Sequence, residues 1–231
     1  MSADFVKFPD TPHLLWLGTA AVREDKVLAR ADAESFLRQP VIVEEKVDGA
    51  NLGVCFDAHG NLLAQNRGNF VERGTKGQFA PLWKWLADRE TQLFDSLEDR
   101  LILFGEWCYA RHSIHYTRLP DFFLAFDVFD RHQQRFMSSP RRDEVVGELE
   151  LATVPKVGAG AFRFDEIPSL IGPSCLYHGP MEGIYLRQES PAWLIQRAKV
   201  VRAEFVQQMG EHWSKQSLVP NQLEPTGSLR Q

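Results

Sequence analysis

Lys46 ends the apolar run Val41-Ile42-Val43-Glu44-Glu45 and is followed after Val47 by the turn dipeptide Asp48-Gly49. Its amine therefore stands where a strand gives way to a loop. Taken alone, such a lysine is a solvated loop residue carrying a proton. It becomes a nucleophile only if burial or neighbouring cations lower its pKa, because the neutral amine attacks and the ammonium does not. Two basic residues much later in the chain, Arg197 and Lys199, could supply that influence while also gripping a phosphate. Being two apart, they share one face of a strand. Spacing alone does not bring them to Lys46.

The elements that must position these residues follow from the apolar patterning. Short strand-like runs lie at 41–43, 51–56, 62–65, 101–105, 122–129, 183–186 and 198–201. Helical stretches are expected from Asp32, as N-cap, to about Arg38, from Phe79 to Leu97, from Pro140 to Leu149 and from Glu204 to Trp213. Strands with helices inserted irregularly indicate an α+β fold, not a regularly alternating parallel sheet. The spacer Asp57-Ala58-His59-Gly60-Asn61 reads as a hairpin turn, and it implies one local antiparallel layer made of the Lys46 strand and the two strands after it.

The 231 residues suffice for one large domain, and no composition shift marks an interdomain linker. Residues 1–215 are expected to form that domain. Residues 216–231, rich in Pro, Gln, Ser and Gly, are expected to form a flexible tail. No apolar run is long enough to span a membrane and the N-terminus has no signal-peptide core. Cys55, Cys108 and Cys175 lie far apart and fit free, mostly buried thiols in a reducing cytoplasm. The net charge of −5 argues against an extended nucleic-acid-coating surface but leaves room for a local basic groove. Two basic clusters could supply one: Arg131, Arg135, Arg141 and Arg142, or Arg197, Lys199 and Arg202. The alternative for each is a solvated surface.

An ordered set of motifs surrounds the lysine. Lys46-Val47-Asp48-Gly49 is followed by Gln65-Asn66-Arg67-Gly68, Leu103-Phe104-Gly105-Glu106-Trp107, the aromatic run Phe122–Asp130, Glu182-Gly183-Ile184-Tyr185 and Arg197-Ala198-Lys199-Val200-Val201-Arg202. Any one is weak, but in this order they resemble the covalent nucleotidyltransferases, the superfamily of ATP-dependent DNA and RNA ligases and mRNA capping enzymes. Within it the chain is most similar to the RNA ligase 2-like family. Asn51 fits RNA ligases, where DNA ligases and capping enzymes usually carry arginine. The segments Phe8–Leu14 and Tyr109–Tyr116 look like those of bacterial members. In one respect the chain departs from the pattern: only a helix and a tail can follow Arg202, where such ligases normally add a C-terminal domain that helps bind nucleic acid.

The resemblance implies a nucleotidyltransferase (ATP-grasp-like) fold of antiparallel sheets flanked by helices, with ATP in the groove between the sheets. It implies that Lys46 takes AMP from ATP, that AMP passes to an RNA 5′-phosphate and that a 3′-hydroxyl then displaces it, in the repair of broken RNA. Arg197 and Lys199 would contact the α-phosphate. Glu106 and Glu182 would bind ribose hydroxyls or a magnesium (or manganese) ion. Arg67 would hold the ribose or the 3′-terminal nucleotide, and Phe126 would stack on adenine with Phe123 as the fallback. Glu45 would offer main-chain contact to the adenine amino group, and Asn51 would touch the sugar or a metal-bound water. Asp48 would order the loop. His112 and His115 lack a third metal ligand and are read as RNA-end or structural residues. A protein partner would supply RNA-binding surface. Two other readings are a minimal DNA nick ligase, which Asn51 and the 109–116 segment disfavour, and a catalytically idle nucleotide- or RNA-binding module, which the intact motif set disfavours.

Overall fold

The computed structural model describes residues 5–18, 27–208 and 218–225. Two antiparallel sheets carry the fold. One has four strands in the order β10-β9-β1-β8: β1 is Val41–Lys46, β8 Lys156–Gly160, β9 Gly183–Glu189 and β10 Leu194–Val201. The other runs β3-β2-β4-β5-β6: β2 is Ala50–Phe56, β3 Leu62–Gln65, β4 Leu101–Trp107, β5 Phe123–Asp130 and β6 Arg135–Phe136. A short β7, Ala152–Thr153, pairs with β5 in parallel. The α+β class expected from the sequence is observed, and no helix among the described residues is long and apolar enough to cross a membrane.

One expectation fails in an informative way. The Asp57–Asn61 turn does join β2 to β3, with Asp57 Oδ1 accepting the His59 and Asn61 N–H groups. The Lys46 strand, however, is not in that layer. β1 pairs with β8 and β9, while β2 pairs with β3 and β4. A hairpin signal fixes a local turn, and the Val47-Asp48-Gly49 link carries no such pairing. It crosses from one sheet to the other, so Lys46 stands at the crossing.

Alternation decides what each sheet offers the cleft. In the four-stranded sheet Val41, Val43, Ile184, Leu186, Ala198 and Val200 pack into a buried core with Phe36 and Leu37 of helix α1, Arg30–Leu37. Glu44, Lys46, Tyr185, Arg187, Arg197 and Lys199 take the opposite parity. In the larger sheet Leu52, Val54, Leu103, Trp107 and Phe123 form a second core with Leu82, Leu86, Leu93 and Leu97. Those leucines come from two short helices, α2 (Leu82–Ala87) and α3 (Glu90–Leu97), where a single helix over 79–97 is expected. The break falls at Asp88-Arg89, and Arg89 turns back to Asp121 and the Trp85 ring. Asp32 lies in the first turn of α1 instead of capping it. Helix α4 spans Ser139–Glu148, and α5 spans Ala203–Gln208, beyond which the expected continuation to Trp213 lies outside the described residues.

The tail expectation also changes. Residues 218–225 form a strap over the 108–119 segment. Asn221 is 3% exposed. Its Oδ1 accepts the Tyr116 N–H at 2.9 Å, its Nδ2 donates to the Cys108 carbonyl at 2.8 Å and its own N–H donates to Tyr109. Composition marked the stretch as poor in apolar residues, but the strap is held by main-chain and amide bonds, which composition does not register. Residues 216, 217 and 226–231 lie outside the described residues.

Candidate active site

The two sheets enclose a cleft of about 740 Å³. Lys46, Glu45, Asn51, Arg67, Glu106, Phe126, Glu182 and Lys199 all line it. Eight of the nine residues singled out from the sequence thus meet in one place, from five strands of the two sheets and the loops between them.

Lys46 is gripped at 2.6 and 2.7 Å by the two carboxylate oxygens of Glu182. Burial alone would pull its pKa down. The carboxylates of Glu182, Glu106 and Asp48 outweigh that and hold the ammonium above the ordinary lysine value. Burial pushes Glu106 up to about 8 against the pull of Lys46, and it raises Glu182 as well. Two strands away on the same sheet, Lys199 is pushed down to about 8, by burial first and then by Lys46 and Arg67. Lys46 thus sits among three acidic groups, of which Glu106 keeps its proton below about pH 8 and gives it up if a further cation binds beside it. That corner therefore accepts further positive charge, whereas Lys199 faces a site where an anion would be welcome.

The motif glycines are there for close approach. A Cβ on Gly49 would lie 2.8 Å from the Trp107 carbonyl, and one on Gly183 2.1 Å from the Val200 carbonyl. Both positions press one strand or loop against the next just where Lys46 and Glu182 must meet. Asp48 orders the loop: its Oδ2 accepts the Ser113 and Ile114 N–H groups, and its own N–H donates to the Tyr116 hydroxyl. Tyr116 is fully buried and hangs from Asn221 of the strap. Removing the Asn221 side chain leaves a buried N–H and a buried carbonyl unpaired, so Asn221→Ala should cost about 1–3 kcal/mol of stability. Thermal unfolding checks this; an unshifted midpoint would mean water replaces both bonds.

Phe126 reaches the cleft through a β-bulge. Phe104 pairs with Asp127 and Gly105 with Ala125, so Phe126 is the extra residue between them. Its freed carbonyl accepts from Arg142 and Arg187. The fallback, Phe123, is fully buried in the helix-side core and does not reach the cleft.

Arg197 departs from its expected place. It does not line the cleft; its Nη1 bonds Asp127 Oδ2 at 2.7 Å and its guanidinium lies over Phe8 and Phe136. Strand parity gives the same side for Arg197 and Lys199, but the aromatic rings and Asp127 claim the first of them. Arg142, expected in a surface or groove cluster, is buried too and pairs with Glu44 at 2.7 Å. Arg187 completes the set, bonding Asp127 at 2.8 Å and Glu189 at 2.6 Å. Arg142 and Arg187, both buried, and the mostly buried Arg197 thus meet Glu44, Asp127 and Glu189, and Glu44, Asp127 and Arg187 line the cleft. Sequence reading missed this network. A charged residue alternating with apolar ones in β1 (Glu44) and β9 (Arg187) was the available signal.

Fit to a nucleotide and a metal can be judged from the donors present. Asn51 Oδ1 and Glu45 Oε2 are buried with no hydrogen-bond partner among the described residues. Glu45 is otherwise tied to Ser174, and burial lifts it to about 7. No three acidic, histidine or cysteine side chains converge on a metal site among the described residues. Magnesium does not need such a cage, since it commonly takes one or two carboxylates and completes its shell with waters and substrate phosphates. Glu106 and Glu182 fit that role. His112 bonds Gln78 at 2.8 Å at the cleft edge, and His115 lies 3.2 Å from the Pro220 carbonyl.

The architecture has close counterparts among solved structures. The chain is similar to the Naegleria gruberi RNA ligase with PPi, at 18% identity and a TM-score of 0.62, covering 90% of this chain and 62% of that one. It is similar to a point mutant of the same ligase with ATP and Mn, at 16% identity and a TM-score of 0.64, covering 89% and 58%. The chain therefore spans roughly three fifths of the length of the solved ligases it resembles. At these identities the likeness speaks for the fold. No curated protein sequence matches the chain. A model of one protein family, described as RNA ligase, matches residues 39–201, which run from the start of β1 to the end of β10 and contain every motif residue of the cleft. The chain belongs to the RNA ligase family.

Proposed function

We propose that this chain is an ATP-dependent RNA ligase domain acting through a covalent lysyl-AMP. The observation that carries the reading is Lys46, held by Glu182 at the crossing of the two sheets, with Lys199 lining the same cleft. Lys46 Nζ attacks the α-phosphorus of ATP. The nitrogen–phosphorus bond forms and the bond to pyrophosphate breaks; the Lys46 ammonium sheds two protons on the way, the first to the carboxylate it already contacts, Glu182, which frees the amine to attack, and the second with the departing pyrophosphate. Lys199 neutralises charge developing on the α-phosphate. Phe126 stacks on adenine, Glu45 meets its amino group, and Arg67 and Asn51 hold the sugar. A 5′-phosphate oxygen of RNA then takes the AMP from Lys46, and an RNA 3′-hydroxyl oxygen attacks that 5′-phosphorus and releases AMP.

A magnesium or manganese ion held by Glu106 and Glu182 would supply positive charge to the phosphates and to the acid-rich corner beside Lys46. The related Naegleria structures, which hold ATP with Mn or PPi, support that substrate and metal class. We place the activity in cytoplasmic RNA repair, with residues 1–215 and the 218–225 strap that fastens them as the adenylyltransferase unit and a protein partner adding RNA-binding surface. Incubation with α-labelled ATP and magnesium, followed by denaturation, tests the first step. Label on the protein, chased onto a 5′-phosphorylated RNA and then into a sealed strand, is the expected result. Absence of label on AMP-free protein overturns the reading.

The lowered pKa of Lys199 gives a second check. Only its charged form grips a phosphate, so above about pH 8 each AMP bound must bring a proton with it. AMP affinity, measured without metal, is expected to fall about tenfold per pH unit above about pH 8. Lys199→Arg keeps the charge and should flatten the profile. A flat wild-type profile would remove Lys199 from the phosphate.

A further inference from the structure

The segment from Arg67 to Gln78 stands outside everything assigned so far, apart from Arg67 itself. It is basic in an acidic chain: Arg67, Arg73 and Lys76 against the single carboxylate Glu72. Arg73 and Lys76 are exposed, and no carboxylate pairs with either among the described residues. Arg67 is half exposed, with only a loose 3.8 Å approach to Asp10. Aromatic surface is interleaved with the charge. Phe70 is 36% exposed, and the Arg73 guanidinium lies 4.4 Å over the ring of Trp83. Trp83 is held in place by its indole N–H on the Glu72 carbonyl at 2.8 Å. Gly74 and Gly77, with φ of +83° and +72°, turn the chain on either side of Lys76.

Both ends of this segment are rooted at the mouth of the cleft. Arg67 lines it and is felt electrostatically by Glu106 and Lys199. Gln78 accepts the Trp107 indole N–H on its carbonyl at 2.7 Å, and its side chain meets cleft-lining His112 at 2.8 Å. A strand whose end sits at Lys46 would leave the cleft past these residues. Cations without carboxylate partners, alternating with rings that can stack, are what a polynucleotide backbone with accessible bases requires.

We propose that residues 67–78, together with Trp83, form a docking surface for the RNA strand whose 5′-phosphate receives AMP. Arg73, held on the Trp83 ring, and Lys76 contact successive backbone phosphates, and Phe70 offers its exposed surface to a base. This surface rests on the ligase reading of the cleft but acts after the first step. The two therefore fail separately.

The test is binding of a 5′-phosphorylated oligoribonucleotide by wild type and by Arg73→Ala/Lys76→Ala between 50 and 200 mM salt, with self-adenylylation measured in parallel. Losing two phosphate contacts lowers the slope of log affinity against log salt by about 1.4, so the variant's deficit should be about sevenfold larger at 50 mM than at 200 mM salt. Labelling by ATP should be unchanged and transfer of AMP to RNA reduced. Arg73→Lys/Lys76→Arg should restore the slope. An unchanged slope in the alanine variant overturns the surface, as does wild type that labels but binds no RNA. Failure of wild type to label overturns the reading of Lys46 instead, while the slope still decides the loop.

Discussion

Lys46→Ala should abolish labelling by α-labelled ATP and leave a folded protein. The main-chain place of Lys46, opposite Gly183 at the end of β1, does not depend on its side chain. Its loss does leave Glu182 buried without the ammonium that most opposes the effect of burial on its pKa. Glu182 then keeps its proton. A carboxyl whose folded pKa is raised above its unfolded value stabilises fully below the unfolded pKa and loses that contribution as pH rises through the folded one. The melting point of Lys46→Ala should therefore fall relative to wild type as pH rises above the unfolded carboxyl range. Lys46→Arg separates charge from nucleophilicity: its guanidinium stays protonated, pairs with Glu182 and cannot attack. It should melt near wild type, with no such downward trend, and take no label. Label in the arginine variant would move the nucleophile to another residue.

The second large effect is expected at Arg187, which carries no part of the chemistry. It bonds Asp127 and Glu189, reaches Glu44 at 3.9 Å and donates to the Phe126 and Met137 carbonyls. Arg187→Met keeps the volume but strands buried carboxylates. Breaking one partner of such a network costs about 3–5 kcal/mol. For a chain of this size that is a fall in melting point of roughly 6–20 °C. Because Arg187 holds the bulge carbonyl of Phe126, nucleotide affinity should drop as well, even where the variant remains folded. A melting point within about 2 °C of wild type would show that water has taken over the network, an outcome at odds with its burial.

These two sites mark the boundary of what the sequence discloses. Lys46, Glu106, Glu182 and Lys199 were legible because each belongs to a short motif whose residues act from a strand end. Strand parity also carried Lys199 to the correct face. Parity did not show that Asp127 and two aromatic rings would claim Arg197. It could not place Phe126 either, since the bulge adds a residue out of step with the alternation. The division of β1 and β2 between two sheets was hidden because Asp48-Gly49 looks like any other turn. Arg142, Arg187 and Asn221 act through partners from about 60 to about 110 positions away, and no local pattern announces such pairs.

The strap sets an order of events. Residues 218–225 leave the ribosome after all the strands, yet they fasten the segment that bonds Asp48, two residues from Lys46. A nascent chain can thus complete both sheets and bring Lys46 to Glu182 before the loop beside them is locked. A folding intermediate should hold Lys46 in a cleft that is formed but not yet closed at one wall. Hydrogen exchange at the Tyr116 amide would report the closing step, with protection gained after that of the β4 and β5 amides.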